Sequence, residues 1–417
     1  MSPLASYRRL LGLAGPGYVV VAFLGRLPLA MSQMGTLLLV SATTGEYAAG
    51  GLAAGALAVA NAVGSPFAGA LADRIGQRIV VLVQSVVGAL GLAALVALAD
   101  TGGGDAALVL TAAAAGLFMP QVGPLARVRW RPITRTTGSA QPRLVDAAFS
   151  YEGAADEASY VLGPAAIGVI AVLVNPSGAL LAAAAILLVF GSWFALHRTA
   201  EAAGGRRRHG AGGPLVTAAF AVLLVAQMLI GVIFGSVQTG TTVLATVAGD
   251  AGMAGVVHSM LGVGSVIAGL AVAGLPERIG LERRMLASAA ALFVLSTPLL
   301  LVDSIPFLIP VIMALGLAVA PYMISNFTLA ERVVPPTRMG AAMTLLAGAT
   351  GIGYAAGSSV AGRLADGGGH TPAFTVTVVA ALLALLLSAA SGRRLRHAVA
   401  VGAHRRLSAQ PAIADAG

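Results

Sequence analysis

The sequence predicts an all-α membrane protein in which twelve transmembrane helices form two pseudo-symmetric six-helix bundles. The first observation is composition: 58% of the 417 residues are hydrophobic and only 10% are charged, whereas soluble domains carry about 25% charged residues. A chain this apolar has too few polar side chains to cover a water-exposed surface, so its natural solvent is lipid. The second observation is that apolar runs long enough to cross a bilayer, about 20 residues each, recur along the whole chain.

Twelve such runs fall into two sets of six. The first set lies at residues 16–40, 47–71, 79–99, 106–126, 147–174 and 178–197. The second set lies at residues 215–245, 252–275, 285–302, 306–329, 340–362 and 371–391. The stretch between them is polar, glycine-rich and basic, which is typical of a linker. We therefore predict a bundle over 1–198, a cytoplasmic linker over 199–213, a second bundle over 214–392 and a cytoplasmic tail over 393–417.

The basic residues predict the orientation of these helices. All 25 are arginines, and they lie in short clusters between apolar runs rather than on one domain face, which argues against nucleic acid as a partner. Placing both termini in the cytoplasm puts 23 of the 25 on the inner side, as the positive-inside rule requires. The exceptions are Arg26, within the first run, and Arg363, at an outer helix end. We expect a multi-pass monomer in the lipid bilayer of the cell's inner membrane.

Two short segments repeat an acid-Arg-Ile-Gly core about half the chain apart. The first, GALADRIGQR, covers residues 69–78, and the second, PERIGLERR, covers residues 276–284. Each is predicted to lie between the second and third helices of its half, as in transporters built from parallel six-helix repeats. The first segment resembles the signature loop of the major facilitator superfamily, G-x-L-A-D-R-x-G-x-R. The resemblance extends over essentially the whole chain and points to the bacterial drug and metabolite efflux branch.

This resemblance implies alternating access and a conformational latch in the signature loop. The latch residues are Gly69, Asp73, Arg74, Gly76 and Arg78. Gly69 would let the second helix approach a neighbour closely, as small residues do in membranes. Asp73 would face the N-terminus of the eleventh helix near Gly340, where amide groups and the helix dipole favour an anion. The alternative is a plain tight turn with solvated charges.

A second feature lies in the fifth run, where Gly163, Pro164 and Gly168 resemble the antiporter motif G-P-x-x-G-G. Ile167 stands where the motif has the first of its closing glycines. The motif implies a bend that seals the inner half of the channel and favours export, although glycine and proline are also tolerated in membrane helices without such a role. An arginine typical of proton-driven relatives is missing from the fourth run, where Ala112 occupies its position.

Four charged residues lie inside predicted membrane runs, where charges are costly and indicate function. Arg26 is in the first run, and Glu152, Asp156 and Glu157 are in the fifth. Glu152 and Asp156 share a helix face, while only one of Asp156 and Glu157 can face Arg26. We expect an ion pair between Arg26 and Asp156 or Glu157, with a carboxylate that gains and loses a proton. The alternatives are a static pair and a clamp by Arg26 on an anionic substrate. Three acids against one arginine favour a cationic or neutral substrate.

Other polar residues on predicted helices are candidates for substrate contact. They are Gln227, Gln238, His258, Tyr322 and Asn326. His258 could also titrate, although a histidine in such a position is more often a packing residue. The remaining side chains could equally bond one helix to another. The sequence therefore names these residues without deciding between the two roles.

Together these features predict a secondary active transporter, which is a proton-coupled antiporter that exports a small, moderately apolar drug or metabolite. The chain has no phosphate-binding loop, no histidine cluster with metal-ligand spacing and no cysteine, so we expect no enzyme activity, no cofactor and no metal. The first alternative is an importer of a small solute with the same fold. The second is a membrane-embedded sensor or enzyme on the same scaffold.

Overall fold

The structure is a computed structural model that describes residues 3–44, 47–203, 215–249, 253–276 and 278–408. Within these ranges the chain is almost entirely helical and contains no strand. This observation confirms the predicted all-α class. Eleven helical segments are long and apolar enough to cross a membrane, and the shorter apolar helix Val256–Val272 supplies the twelfth crossing.

The first bundle begins with a short surface helix and continues through six spans. Its helices are α1 (Pro3–Ala14), α2 (Pro16–Thr44), α3 (Tyr47–Ile75), α4 (Gln77–Asp100), α5 (Asp105–Leu117), α6 (Val122–Ile133), α7 (Gln141–Leu173), α8 (Pro176–Ile186), α9 (Ser192–Leu196) and α10 (Thr199–Ala203). α5 and α6 together form the fourth span. α8 and α9 form the sixth, joined by one π-helical turn over Leu187–Gly191.

The second bundle has one helix for each span. Its helices are α11 (Ala218–Val247), α12 (Met253–Val272), α13 (Leu281–Ser296), α14 (Ile305–Val333), α15 (Met339–Gly368) and α16 (His370–Ser408). The largest buried apolar cluster lies mainly in this bundle, although it includes Val145 and Phe149 of α7, and two smaller ones lie mainly in the first. Each bundle therefore has its own core, as expected for two pseudo-symmetric halves.

Four segments differ from the sequence-based boundaries. α1 precedes the first span and was not predicted, because its twelve residues are too short for a membrane crossing. The fourth span runs from Asp105 to Ile133, seven residues beyond its predicted end. α16 continues as helix past residue 392 to Ser408, so the first part of the predicted tail extends the last span. Residues 204–213 of the predicted linker lie outside the described residues, while residues 199–203 form α10.

Several contacts between the two bundles lie toward one side of the membrane. We call it the arginine-rich side, because Arg74, Arg131 and Arg332 lie there at helix ends. α3 packs against α15 and α7 packs against α12 and α14 across this seam. Glycines allow the close approach, since a Cβ atom at Gly153 would collide with the Ile324 side chain of the other bundle. The seam brings charged helix ends of both halves into contact.

Candidate functional site

The fourth span is interrupted near the middle of the membrane. α5 ends at Leu117 and α6 begins at Val122. Asn61 of α3 fills the break, since its Nδ2 donates to the Met119 carbonyl at 2.8 Å and its Oδ1 accepts from Gln121 Nε2 at 2.6 Å. Irregular backbone at this depth is stable only where protein groups satisfy it. α6 is consequently a separate half-helix, and most of its polar side chains are directed into the protein.

Arg26 of α2 contacts two carboxylates of α7. Arg26 is only 4% exposed. The Nη2 atom lies 2.5 Å from Glu152 Oε2, and the Nη1 atom lies 3.0 Å from Asp156 Oδ1. Glu152 and Asp156 stand one helical turn apart, so one guanidinium can reach both. The structure thus places Arg26 between Glu152 and Asp156, whereas the sequence named Asp156 or Glu157 as alternative partners.

Two side chains of α6 complete this group. Arg127 Nη1 lies 2.7 Å from Asp156 Oδ2, and Trp130 Nε1 donates to Glu152 Oε1 at 2.6 Å. Both α6 side chains are buried. We call Arg26, Arg127, Glu152 and Asp156 the charge cluster. The count of one cation against three acids omits Arg127, which follows the fourth apolar run and was counted among the arginines of the inner side. With two arginines and two carboxylates, the cluster is balanced.

Glu157 is adjacent to the charge cluster in sequence but not part of it. Its residue is 8% exposed, and no basic group of the described residues forms an ion pair with it. At this level α7 packs on α12, where Gly262 lies beside Val161 and the Glu157 backbone. Asp156, by contrast, has a side chain that is 20% exposed. The cluster therefore contains one accessible carboxylate, next to a buried acid without a counter-ion in the described chain.

The signature loop meets the other bundle through Asp73. Its carboxylate accepts hydrogen bonds from the backbone N–H groups of Gly340 at 2.8 Å and Ala341 at 2.9 Å, in the first turn of α15. Gly69 lies one turn earlier on α3, and a Cβ atom there would collide with Thr344 and with the Gly340 backbone. An aspartate at a helix N-terminus is stabilised by the free amides and by the helix dipole. The loop thus joins the two halves on the arginine-rich side.

The other residues of the loop have different surroundings. Gly76 has φ +96°, a conformation that favours glycine, and it separates α3 from α4. Arg78 forms an exposed ion pair with Glu201 of α10 at 2.9 Å, and Arg74 is exposed. Asp73 and Gly69 therefore contact the second bundle directly, while Gly76 shapes the turn and the two arginines lie at the surface.

Two further ion pairs bridge the bundles, and neither was predicted from the sequence. Arg131 of α6 lies 2.7 Å from Glu331 of α14, and Arg332 lies 2.8 Å from Asp146 of α7. The Glu331 side chain is only 3% exposed, and that of Arg131 is 34% exposed. Their signal in the sequence is weak, because each charge stands at the end of an apolar run and looks like a solvated helix end.

Arg127 and α1 add two more contacts across the seam. The Arg127 guanidinium lies 4.3 Å from the ring centroid of Phe327 on α14, a favourable cation–π distance. The Tyr7 hydroxyl of α1 donates to the Leu270 carbonyl of α12 at 2.8 Å. Burial raises the pKa of Tyr7 to about 12, so this group stays a neutral donor at physiological pH. Arg127 therefore connects the charge cluster to the opposite bundle.

Of the antiporter-like residues of α7, Gly163 packs against α2. A Cβ atom on Gly163 would stand 2.8 Å from the Ala30 side chain and 3.2 Å from the Met31 backbone nitrogen. Pro164 lies within the continuous helix α7, and the space around the Gly168 Cβ position is open. Close packing accounts for Gly163, and packing does not account for Gly168.

The polar candidates of the second bundle form a neutral network. Asn326 Nδ2 donates to Gln227 Oε1 at 2.7 Å and to the Leu223 carbonyl at 3.0 Å. Gln227 Nε2 donates in turn to Thr350 Oγ1 at 2.9 Å. Asn326 and Gln227 are both fully buried. These bonds run from helix to helix between α11, α14 and α15, which is the second of the two roles that the sequence left open.

The three remaining candidates have separate environments. Gln238 is exposed and accepts from the Tyr354 hydroxyl at 2.7 Å. His258 has a buried Nδ1 atom without a hydrogen-bond partner in the described part of the chain. Tyr322 is buried in the core of the second bundle. The structure therefore does not gather the five candidates into one site.

Several solved structures share this fold. The human organic anion transporter MFSD10 (TETRAN) is 20% identical with a TM-score of 0.66, over 89% of this chain and 98% of that chain. A bacterial homologue of the iron transporter ferroportin, in its outward-facing state, is 15% identical with a TM-score of 0.68 and the same coverage. The transporter FucP in the outward conformation is 14% identical with a TM-score of 0.63, over 90% of this chain and 98% of that chain. Such low identities establish the fold alone.

Sequence comparison gives the family directly. No curated protein sequence matches the chain. The family model described as Major Facilitator Superfamily matches residues 18–301 and 223–411, which together include both bundles and the signature loop. The twelve helical crossings, the two bundles and the seam described above agree with that match. This multi-pass membrane protein therefore belongs to the major facilitator superfamily of transporters.

Proposed function

We propose that this protein is a proton-coupled exporter of a small, moderately apolar molecule in the cell's inner membrane. Taking the arginine-rich side as the cytoplasmic side, as the positive-inside rule indicates, makes the closed seam a cytoplasmic gate. The two bundles are then in contact on the cytoplasmic side in the described state. The observation that carries the proposal is the charge cluster, because it connects titratable side chains of α7 to the half-helix that contacts the opposite bundle.

Proton binding would act on the gate through Arg127. Asp156 holds one guanidinium nitrogen of Arg127 at 2.7 Å, while the same guanidinium lies over Phe327 of the second bundle. A proton on Asp156 removes the counter-charge of Arg127, and an unpaired buried cation is costly. α6 then loses one of its polar contacts with α7 and keeps the Trp130–Glu152 bond, and the Arg131–Glu331 pair at its other end would be released as the half-helix shifts. The break between α5 and α6 gives this half-helix the freedom to move.

Glu157 is the second candidate for a proton carrier. An isolated carboxylate is expensive to bury, and Glu157 has no ion-pair partner among the described residues. We propose that one of these two acids takes a proton from outside as substrate leaves and gives it to the cytoplasm as substrate binds. Because the charge cluster is balanced, it gives a cationic substrate little advantage over a neutral one.

The coupling is tested by separating gradient-driven transport from exchange. A substrate is first selected with a thermal-stability screen of purified protein, since binding raises apparent stability by mass action. Proteoliposomes then compare the wild type with Asp156→Asn and Glu157→Gln. The control is Asp303→Asn, the same chemical change on an exposed side chain outside the spans. We expect at least one α7 variant to lose gradient-driven transport about tenfold or more while keeping exchange, and the control to retain both.

Two outcomes would contradict the proposal. Full gradient-driven accumulation in both α7 variants would show that the acids are structural, and His258 would be the next residue to test. Movement of substrate in the same direction as the protons would indicate symport. That result would favour the importer, which is the first alternative predicted from the sequence. The orientation is tested separately, with reporter fusions placed on the arginine-rich side and on the other side of the membrane. The fusions on the arginine-rich side should report the cytoplasm.

A further inference from the structure

A groove of about 420 Å³ lies on the second bundle, away from the charge cluster and the signature loop. It opens between the first turns of α11 and the part of α16 where the apolar run ends. Its lining residues are Val222, Leu387, Ala390, Ser391, Arg393 and Arg394. None of these residues takes part in the contacts between the bundles. The groove therefore needs an explanation of its own.

The upper wall of the groove is apolar and continuous with the membrane-facing surface. Val222, Leu387 and Ala390 belong to it. On the same stretch of α16, Leu383 is 47% exposed and Leu386 is 55% exposed. In a membrane span, exposed leucines contact acyl chains, which are as apolar as the side chains themselves. A ligand of this wall is thus expected to be a hydrocarbon chain.

The lower end of the groove is cationic and held in place. Arg393 and Arg394 are exposed, and neither forms an ion pair within the described residues. Arg396, one turn further, differs because it lies 3.7 Å from Glu282. The helix continues past both arginines to Ser408. The next residue, Leu395, is only 1% exposed and fixes this part of the helix against the core. The two charges therefore sit on a continuous helix directly after the predicted apolar run ends at residue 391.

We propose that this groove binds one anionic phospholipid, with its phosphate at Arg393 and Arg394 and an acyl chain along Leu387 and Ala390. Basic pockets between membrane helices on the cytoplasmic side are suited to acidic headgroups, and the arginine-rich side is taken as cytoplasmic here. The two arginines supply charge and hydrogen-bond donors for a phosphate, and the apolar wall distinguishes a lipid from a free anion. A zwitterionic lipid carries its own cation near the phosphate and gains less from the pair.

The test uses delipidated, purified protein in detergent and measures lipid retained by native mass spectrometry. Phosphatidylglycerol is compared with phosphatidylcholine of the same acyl chains, and with glycerol 3-phosphate as the free anion. We expect wild type to retain one phosphatidylglycerol in preference to the other two. Arg393→Gln with Arg394→Gln should weaken that binding about 25-fold, since each arginine near a membrane surface contributes about fivefold.

Two further variants separate a built groove from general basicity. Ala390→Trp keeps both charges and fills the groove, so it should lose the bound lipid, and Leu387→Trp replaces it if the first variant fails to fold. The matched control is Arg8→Gln with Arg9→Gln, an exposed basic pair on α1, which should bind like wild type. Equal retention of both lipids, displacement by glycerol 3-phosphate, or normal binding in the tryptophan variant would each overturn the proposal. Because the readout is lipid binding, it is independent of the proposed export.

Discussion

The two bundles share a fold, but the polar groups that they bury within the membrane have different kinds of partners. In the first bundle, two arginines pair with two carboxylates and a tryptophan closes the group. In the second, Gln227, Asn326 and Thr350 form a neutral chain of hydrogen bonds. Both arrangements link three helices. Of these two arrangements only the charged one contains carboxylates, and the proposed proton coupling therefore rests on the first bundle.

The difference also predicts different costs of damage. Removing one member of a buried ion pair leaves an uncompensated charge and costs about 3–5 kcal/mol. Neutral hydrogen bonds between membrane helices contribute only about 0.6 kcal/mol on average. We therefore expect the first bundle to be fragile to single substitutions and tolerant of paired ones, and the second to be insensitive to either. The substitutions below sharpen or break this contrast.

Arg26→Ala should have the largest effect. It leaves Glu152 and Asp156 without the cation that bridges them, so we expect a loss of about 3–5 kcal/mol in the free energy of unfolding. The measurement is a melting curve of the purified protein in detergent, together with expression level. A variant with wild-type stability would show that Arg26 is not required to compensate these acids.

Paired substitutions identify which acid depends on Arg26. Combining Arg26→Ala with Glu152→Gln or with Asp156→Asn should recover part of the lost stability but not gradient-driven transport. Combining it with Glu157→Gln should recover none, because Glu157 makes no ion pair with Arg26. Equal rescue by the Glu157 combination would contradict the arrangement of α7 described here.

Asp73→Asn should change transport more than stability. The residue contributes to one conformation by accepting from two amides of α15, and a charge at a helix N-terminus is worth about 0.3–2 kcal/mol. We expect transport to fall about fivefold or more, with a melting temperature near that of wild type. Wild-type rates would show that the loop is only a turn.

The same variant offers a direct measure of gate closure. The chain has no cysteine, so a single Ile324→Cys probe reports on the seam, where Ile324 packs against Gly153. Alkylation from the arginine-rich side should be slow in the wild-type background and faster in Asp73→Asn. Unchanged labelling in the presence of a transport defect would assign Asp73 a role other than closing the gate.

Asn326→Ala should have the smallest effect. It removes the bonds to Gln227 and to the Leu223 carbonyl, for an expected loss of about 0.5–1.5 kcal/mol in stability. The dependence of transport on the proton gradient should stay unchanged, in contrast to Asp156→Asn. A raised KM with normal stability would instead show that this network contacts substrate.

The spans could be predicted from the sequence alone, because a membrane crossing is a local property of about 20 consecutive apolar residues. The signature loop could be predicted too, and its Asp73 contacts the end of α15 near Gly340 as expected from helix-end electrostatics. The presence of charges inside the first and fifth runs was equally visible, since no neighbour is needed to see that Arg26 and Asp156 lie within apolar runs.

Which charges meet depends on how the helices pack. Arg127 follows the fourth apolar run in the sequence, where its partner cannot be read, and in the folded protein its half-helix, which begins after the break that follows Leu117, brings it to Asp156. Arg131 and Glu331 lie 200 residues apart, and nothing in either run specifies the other. The pairing of buried charges depends on the rotation and depth of each helix relative to its neighbours. Those quantities come from packing in the assembled bundles, whereas apolar length is set by each segment alone.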